Sequence, residues 1–188
     1  MSKLSDNIWF TRKARIQASE RLLSNDNHSQ ILLIIYSIIN TCLAVILLKD
    51  SSMLGGKTDL ALVIMSIVIL VTSLFVTNKN FKSRAEALKN HYIELQNLYF
   101  LALDAEKNED QEKINELRAK YTDLLELSEN HNTIDDYVFR VFNKSSLTSR
   151  KPSKYEIVIT LGYKIARLLI LIFLYTSPVV TIYMTTFL

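Results

Sequence analysis

The chain carries two apolar runs with no ionisable side chain, Ile31–Leu48 (ILLIIYSIINTCLAVILL) and Leu60–Val76 (LALVIMSIVILVTSLFV). A charged side chain at the centre of a bilayer costs about 3 kcal/mol on insertion scales. A helix of about 18 residues without one is therefore a candidate membrane span. At about 1.5 Å of rise per residue it reaches about 27 Å, close to the hydrocarbon thickness. The alternative is a pair of buried core helices, but a core helix of that length normally shows charge on one face.

The 22 Lys/Arg and 19 Asp/Glu residues all lie outside these two runs. The protein is thus expected to be part membrane and part strongly solvated. Residues 1–30 are polar and charged, so Ile31–Leu48 reads as a retained anchor and not as the apolar core of a secretory leader. Cys42 is the single cysteine and falls inside the first run, where it acts as a small apolar residue. His28, His91 and His131 are scattered, and none shares a metal-ligand spacing with another donor. Three glycines in the whole chain exclude a phosphate-cradling loop. No metal and no cofactor is expected.

Residues 5–24 have the pattern of a helix that Ser5 or Asp6 can cap, with Trp9, Ala14, Ile16, Ala18, Leu22 and Leu23 apolar. Arg12, Lys13, Arg15 and Arg21 make its surface basic. Such a helix can lie at a lipid interface with Trp9 at headgroup depth, or it can pack on the rest of the solvated part. The connector 49–59 contains Gly55-Gly56 and reads as a tight turn, so the two spans form an antiparallel hairpin. Lys/Arg residues are denser before the first span and just after the second (Lys79, Lys82, Arg84, Lys89) than in the connector. The positive-inside rule then places the N-terminus in the cytoplasm and the turn outside, in the cell inner membrane.

Beyond the hairpin, Phe81, Ala85, Leu88, Tyr92, Leu95, Tyr99 and Ala102 recur three and four residues apart. Ile114, Leu117, Tyr121, Leu124 and Leu125 do the same over 111–129. Two amphipathic helices joined by the charged turn 106–112 are expected to pair as a cytoplasmic helical hairpin, with stripes too short for an extended coiled coil. Residues 133–143 suggest a further short helix capped by Thr133 or Asp135, followed by a linker over 144–154. Leu168–Leu188 is again uncharged and reads as a third, C-terminal transmembrane helix kinked at Pro178, or as a re-entrant segment. The expected organisation is all-α: a cytoplasmic amphipathic helix at 1–30, a two-transmembrane hairpin at 31–77, a cytoplasmic helical region at 78–154 and an apolar segment at 155–188.

No GxSxG or SxxK pattern is present, and the acidic residues of 104–129 alternate with Lys107, Lys113, Arg118 and Lys120 as a solvated helix face. Enzymatic function is not expected. The polar residues of the spans are more informative. Ser37, Asn40 and Thr41 in the first, Ser66, Thr72 and Ser73 in the second, and Thr176, Ser177, Thr181 and Thr185 in the third can glue helices together or line a water-filled pore. Ser37, Asn40, Thr41, Ser66, Ser73 and Thr181 are the candidate pore-lining or packing residues. Trp9, Arg12, Lys13, Arg15 and Arg21 are the candidate interface and lipid-contacting residues. No carboxylate, lysine or histidine lies within any span, which argues against proton relays and charge-selective filters. Two or three helices cannot enclose a pore, so a channel requires a homo-oligomer.

Arg140, Lys144, Arg150, Lys151, Lys154, Lys164 and Arg167 form a basic cluster suited to anionic lipid headgroups. Without an interleaved aromatic platform, direct nucleic-acid binding is not expected.

The opening Ile8-Trp9-Phe10-Thr11-Arg12-Lys13-Ala14-Arg15-Ile16, the following Ala18-Ser19-Glu20-Arg21-Leu22, Tyr36-Ser37 in the first span and Arg84-Ala85 after the second resemble the SLATT family of small bacterial two-transmembrane effectors. The resemblance covers residues 5–130 and extends to the C-terminus in the subgroup with an extra terminal span. It implies a role in bacterial conflict and antiphage defence of the abortive-infection type. It also implies membrane disruption or homo-oligomeric pore formation, triggered by a sensor or synthase of the same operon such as a nucleotidyltransferase or reverse transcriptase. The family offers no catalytic motif to carry over. The alternative from a different class is a non-catalytic anchor or adaptor that tethers a soluble partner enzyme to the lipid bilayer.

Overall fold

The computed structural model describes residues 3–49, 58–126 and 131–187; of residues 58, 181, 182 and 184–187 it describes the backbone alone. The glycine turn expected at Gly55-Gly56 lies outside the described residues, which contain no strand. Six helices follow in order: α1 (Leu4–Lys49), α2 (Thr58–Lys79), α3 (Phe81–Lys107), α4 (Gln111–Glu126), α5 (Thr133–Phe142) and α6 (Lys154–Phe187). The N-terminal amphipathic helix and the first span are thus one helix. α2 and α3 are separated by Asn80 alone, whose φ of 47° is the left-handed conformation that asparagine tolerates better than most residues.

The chain divides into two compact units. The packed unit comprises Met1–Ser24 and Phe81–Gly162. Its main cluster joins Leu4 and Ile8 of α1 to Leu95, Leu98, Ala102 and Ala105 of α3 and to Ile114 and Leu117 of α4, with Tyr99, Tyr121 and Leu124 around them. The α3 and α4 stripes expected from the sequence do pair in a helical hairpin, and the start of α1 adds a third helix. A second cluster sets Ala18 and Leu22 against Ala85 and Leu88. The alanines remove side-chain bulk at this crossing, so the helices approach closely enough for Ser19 Oγ to donate to the Ala85 carbonyl at 2.9 Å. The third cluster is aromatic, with Phe10, Phe139, Leu147 and Trp9 meeting edge to face.

Helix ends in this unit are closed from a distance. Ser5 sits inside the first turn of α1 and does not cap it alone; its backbone N–H and hydroxyl donate to the Glu106 carboxylate at 3.0 and 2.6 Å. A carboxylate there satisfies orphan donors and complements the positive end of the helix dipole. α5 is preceded by Asn132, whose N–H donates to Asp135 at 3.0 Å, so Asn132 and not Thr133 stands at the cap.

The span unit comprises Asn25–Asn80 and Tyr163–Leu188. Among the described residues three helical stretches are long and apolar enough to cross a membrane, and at most 11% of the apolar window of each is buried. Ile34, Val63, Ile67, Leu74, Leu169 and Phe173 are all more than half exposed. In water such a surface would be an aggregation hazard, whereas hydrocarbon makes it the favoured one. Asn40 meets Ser66, and Leu32 and Leu33 share a cavity with Val68, Ile69, Thr72 and Val76, so α1 and α2 run antiparallel here. The C-terminal apolar segment is helical throughout its described backbone.

Candidate functional site in the spans

The polar residues singled out in the spans fall into two groups. Most hydroxyls are satisfied by their own helix. Thr41 donates to the Ser37 carbonyl at 2.8 Å, Ser66 to Leu62 at 2.9 Å, Thr77 to Ser73 at 2.9 Å and Thr176 to Ile172 at 2.9 Å. Back-bonding of this kind hides the hydroxyl proton, so a threonine or serine can face lipid at little cost. Ser37, Thr41 and Ser66 do stand exposed, while Ser73 is half-buried. The Thr181 and Thr185 side chains lie outside the described residues.

The second group crosses between helices. Asn40 Nδ2 donates to Ser66 Oγ at 2.8 Å, and its Oδ1 is buried with no hydrogen-bond partner. Among the candidates with described side chains, Asn40 and Ser66 are joined side chain to side chain. Further hydrogen bonds join α1 to α6: Arg167 to Asn25 Oδ1 at 2.9 Å, His28 Nδ1 with Tyr175 Oη at 3.1 Å, and Tyr36 Oη to the Leu174 carbonyl at 2.8 Å. Tyr36 also shares a hydrogen bond with Ser177. Tyr36, singled out in the sequence only for its part in the family resemblance, and Tyr175 were not among the candidate site residues, which were sought among small polar residues. The signal that could have found Tyr36 is its position as the one tyrosine in the first two apolar runs.

The N-terminal candidates belong to the packed unit, where their helix packs against α3 and α4. Trp9 stacks edge to face on Phe10 and Phe139 at 4.9 and 5.4 Å. Lys13 lies over the Trp9 ring at 5.7 Å, and burial, aided by the neighbouring Arg12 charge, pulls its pKa down. Arg12 is half-buried, with its Nε shielded from solvent and unbonded. Arg15 is fully buried, and burial lowers its pKa, opposed by Tyr121. Its two terminal nitrogens donate to the Leu124 carbonyl at 3.3 and 3.2 Å, in the last turn of α4, where a cation complements the helix dipole. Arg21 grips the buried Asp135 through two bonds of 2.7 and 3.1 Å. These side chains serve the core because the small residues Ala14, Ala18 and Ser19 turn one face of α1 toward α3.

The basic cluster is likewise partly committed inside the packed unit. Arg140 pairs with Asp136 at 2.8 Å and with Glu156. Burial alone would lower its pKa, but those two carboxylates raise it, and Arg140 in turn holds Glu156 below the usual carboxylate range. Arg150 reaches Asp6 and Asn7 and lies over Phe10 at 4.8 Å. Lys144, Lys151 and Lys154 remain exposed. Among the described residues no group of three or more His, Cys, Asp or Glu side chains could hold a metal ion.

A bundle of apolar spans, hydroxyls turned onto their own helices and one asparagine with an unused acceptor can bind helices and lipid. No curated protein and no solved structure matches the chain. The family model described as SMODS and SLOG-associating 2TM effector domain family 5 matches residues 1–187, so the chain belongs to that family of two-transmembrane effector domains and carries a further apolar helix, α6, within the matched region.

Proposed function

We propose that this protein is the membrane effector of an antiphage, abortive-infection system. It acts without catalysis, by assembling copies of itself into a pore or membrane lesion when a partner sensor of the same operon is triggered. The segments before the first span and after the second fold into one unit, which supports their lying on one side of the membrane. The excess of Lys/Arg in those segments assigns that side to the cytoplasm and the spans to the inner membrane.

The observation that carries the reading is Asn40. Its Oδ1 has no donor among the described residues, although it lies in the middle of an apolar span where lipid can supply none. Because the atom is buried, a donor arrives only when the helices rearrange, as on assembly, or when assembly admits water. Induced expression with a membrane-potential dye tests this. Depolarisation is expected under phage challenge with the partner genes present, and Asn40→Leu should abolish it at equal protein level. Persistent polarisation of the wild-type culture would sink the effector reading.

A specific observation favours a second reading, an adaptor that holds a soluble enzyme at the membrane. On the packed unit Ile93, Phe100 and Leu101 stand about half exposed, and α3 and α4 flank an apolar groove of about 400 Å³ lined by Leu98, Leu101 and Leu124 with Glu94, Lys120 and Asp123 at its rim. An amphipathic partner helix fits such a groove. Under this reading, replacing the spans with unrelated apolar helices preserves protection, whereas under the effector reading it destroys protection.

A further inference from the structure

Pro178 stands inside α6 with its side chain buried. A proline has no N–H, so the carbonyl four residues earlier loses its helical donor, and the ring pushes that carbonyl out of line. Here that carbonyl belongs to Leu174. Hydrocarbon offers no water to replace the donor, and an unsatisfied carbonyl there is costly.

The first span supplies the replacement. Tyr36 Oη donates to the Leu174 oxygen at 2.8 Å. Ser177 Oγ also reaches that oxygen, at 3.2 Å, and shares a hydrogen bond with the Tyr36 hydroxyl. Each hydroxyl has one proton, so while Tyr36 donates to the carbonyl, Ser177 donates to the Tyr36 oxygen and stands within reach of the same carbonyl. If Tyr36 withdraws, Ser177 still covers the carbonyl, so the bond between the helices can open without leaving Leu174 bare. The surroundings also leave the ring space. Tyr36 and Leu174 both line a cavity of about 250 Å³ bounded by Leu32, Leu33, Val68 and Ile69. A close-packed interior would hold an aromatic ring fast.

We propose that Tyr36, Leu174, Ser177 and Pro178 form a latch that fastens the third span to the first. It is closed in the resting protein. On activation Tyr36 swings into the cavity, Ser177 takes over the Leu174 carbonyl, and α6 bends at Pro178 and leaves α1. What opening accomplishes rests on the pore-forming reading above; the latch itself does not.

The full-length protein in lipid nanodiscs separates the two. Tyr36→Phe removes the donor and keeps the ring, and should lower the thermal midpoint by about 2–4 °C. Pro178→Ala restores the helical N–H to Leu174, so Tyr36→Phe added to it should shift the midpoint by less than about 1 °C, a non-additive cycle. Equal shifts in the two backgrounds overturn the latch. In cells without the partner system, Tyr36→Phe should depolarise the membrane unprompted, and Pro178→Ala should silence it again. A Tyr36→Phe protein that stays silent and fires on the same trigger as wild type overturns the activating role and leaves the pore reading standing. If wild type never depolarises when triggered, the pore reading fails, and the thermal cycle alone decides the latch.

Discussion

The two units answer the same question, where to put polar groups, in opposite ways. The packed unit buries ions and pairs them: Arg21 with Asp135, Arg140 with Glu156, Arg15 on the end of α4. Its large apolar residues are inside, with Ile8, Leu95 and Leu117 at zero exposure. The span unit joins its helices mainly through neutral groups, Asn40 with Ser66 and Tyr36 with Leu174, and turns its large apolar residues outward. The solvent explains the contrast. Water drives apolar side chains inward and hydrates any ion that loses its partner, whereas hydrocarbon gives no inward drive and no hydration. Stability in the packed unit should therefore depend on apolar volume and ion pairs, and in the span unit on hydrogen bonds and close contact.

The largest effect that sharpens this comparison comes from one substitution type made in both units. Leu95→Ala or Leu117→Ala opens a cavity in the packed unit and should cost about 2–5 kcal/mol. Ile67→Ala, on a span residue more than half exposed, should cost under about 1 kcal/mol, since lipid fills the space. Trp9, the single tryptophan, lies in the packed unit and reports its unfolding by fluorescence during denaturant titration. Equal losses at Leu95 and Ile67 would mean that the contrast in solvent is false. Next in size is Asp135→Ala. It removes both hydrogen bonds from Arg21 to Asp135 and the acceptor of the Asn132 N–H, for an expected loss of about 2–4 kcal/mol. Arg21→Met in the same background should recover part of that loss, because an apolar side chain of similar length tolerates the site without a counter-ion.

The architecture was legible because its strongest signals are local. Absence of charge over a whole run marks a span, and three-four spacing marks the α3 and α4 stripes, so each could be read in a short window. Contacts across the chain left no such mark. Ser5 meets Glu106, and Arg15 meets the Leu124 carbonyl, through packing that only the folded hairpin creates. The basic N-terminal helix was ambiguous for a physical reason: one apolar face and one basic face suit either a lipid surface or a protein core. Ala18 and Ser19 let α3 approach closely on the core side of that helix. In the spans Pro178 was visible as a break in helical bonding, but the identity of the donor that repairs it depends on which residue of α1 lies opposite. Among the candidates for lining a pore, Asn40 and Ser66 meet, whereas Ser37 and Thr41 are linked only along their own helix.

A smaller effect tests burial of neutral groups in the packed unit. His131 Nδ1 is buried without a partner, and burial lowers the pKa of the ring, with Arg15 pulling the same way against Asp136 and Asp135. A base whose folded pKa lies below its unfolded value, about 6.5, is bound by more protons when unfolded. The stability it contributes is thus full above that value and declines as pH falls from it toward the folded pKa. The Trp9-monitored midpoint should drop between pH 7.5 and 5.5, and His131→Gln should flatten that part of the profile. An unchanged slope in the variant would assign the drop to other groups.

The smallest effect concerns ions that the comparison says should not matter. Glu116 bridges Lys113 and Lys120 at 2.7 Å on the exposed face of α4, and the two hydrogen bonds, with the lysine charges behind them, hold its carboxyl down at about 2. A depressed carboxylate pKa contributes stability that is complete above the unfolded value and lost only as pH falls toward 2. Solvent and salt screen such a pair almost wholly, so a large shift in acidity here does not translate into a large contribution to folding. Glu116→Gln should leave the denaturation midpoint at pH 7 where it is, within error, at both low and high salt. A clear loss of stability at low salt would show that charge on the surface of α4 supports the packed unit as the buried pairs do, and the division between paired interior ions and idle surface ones would have to be redrawn.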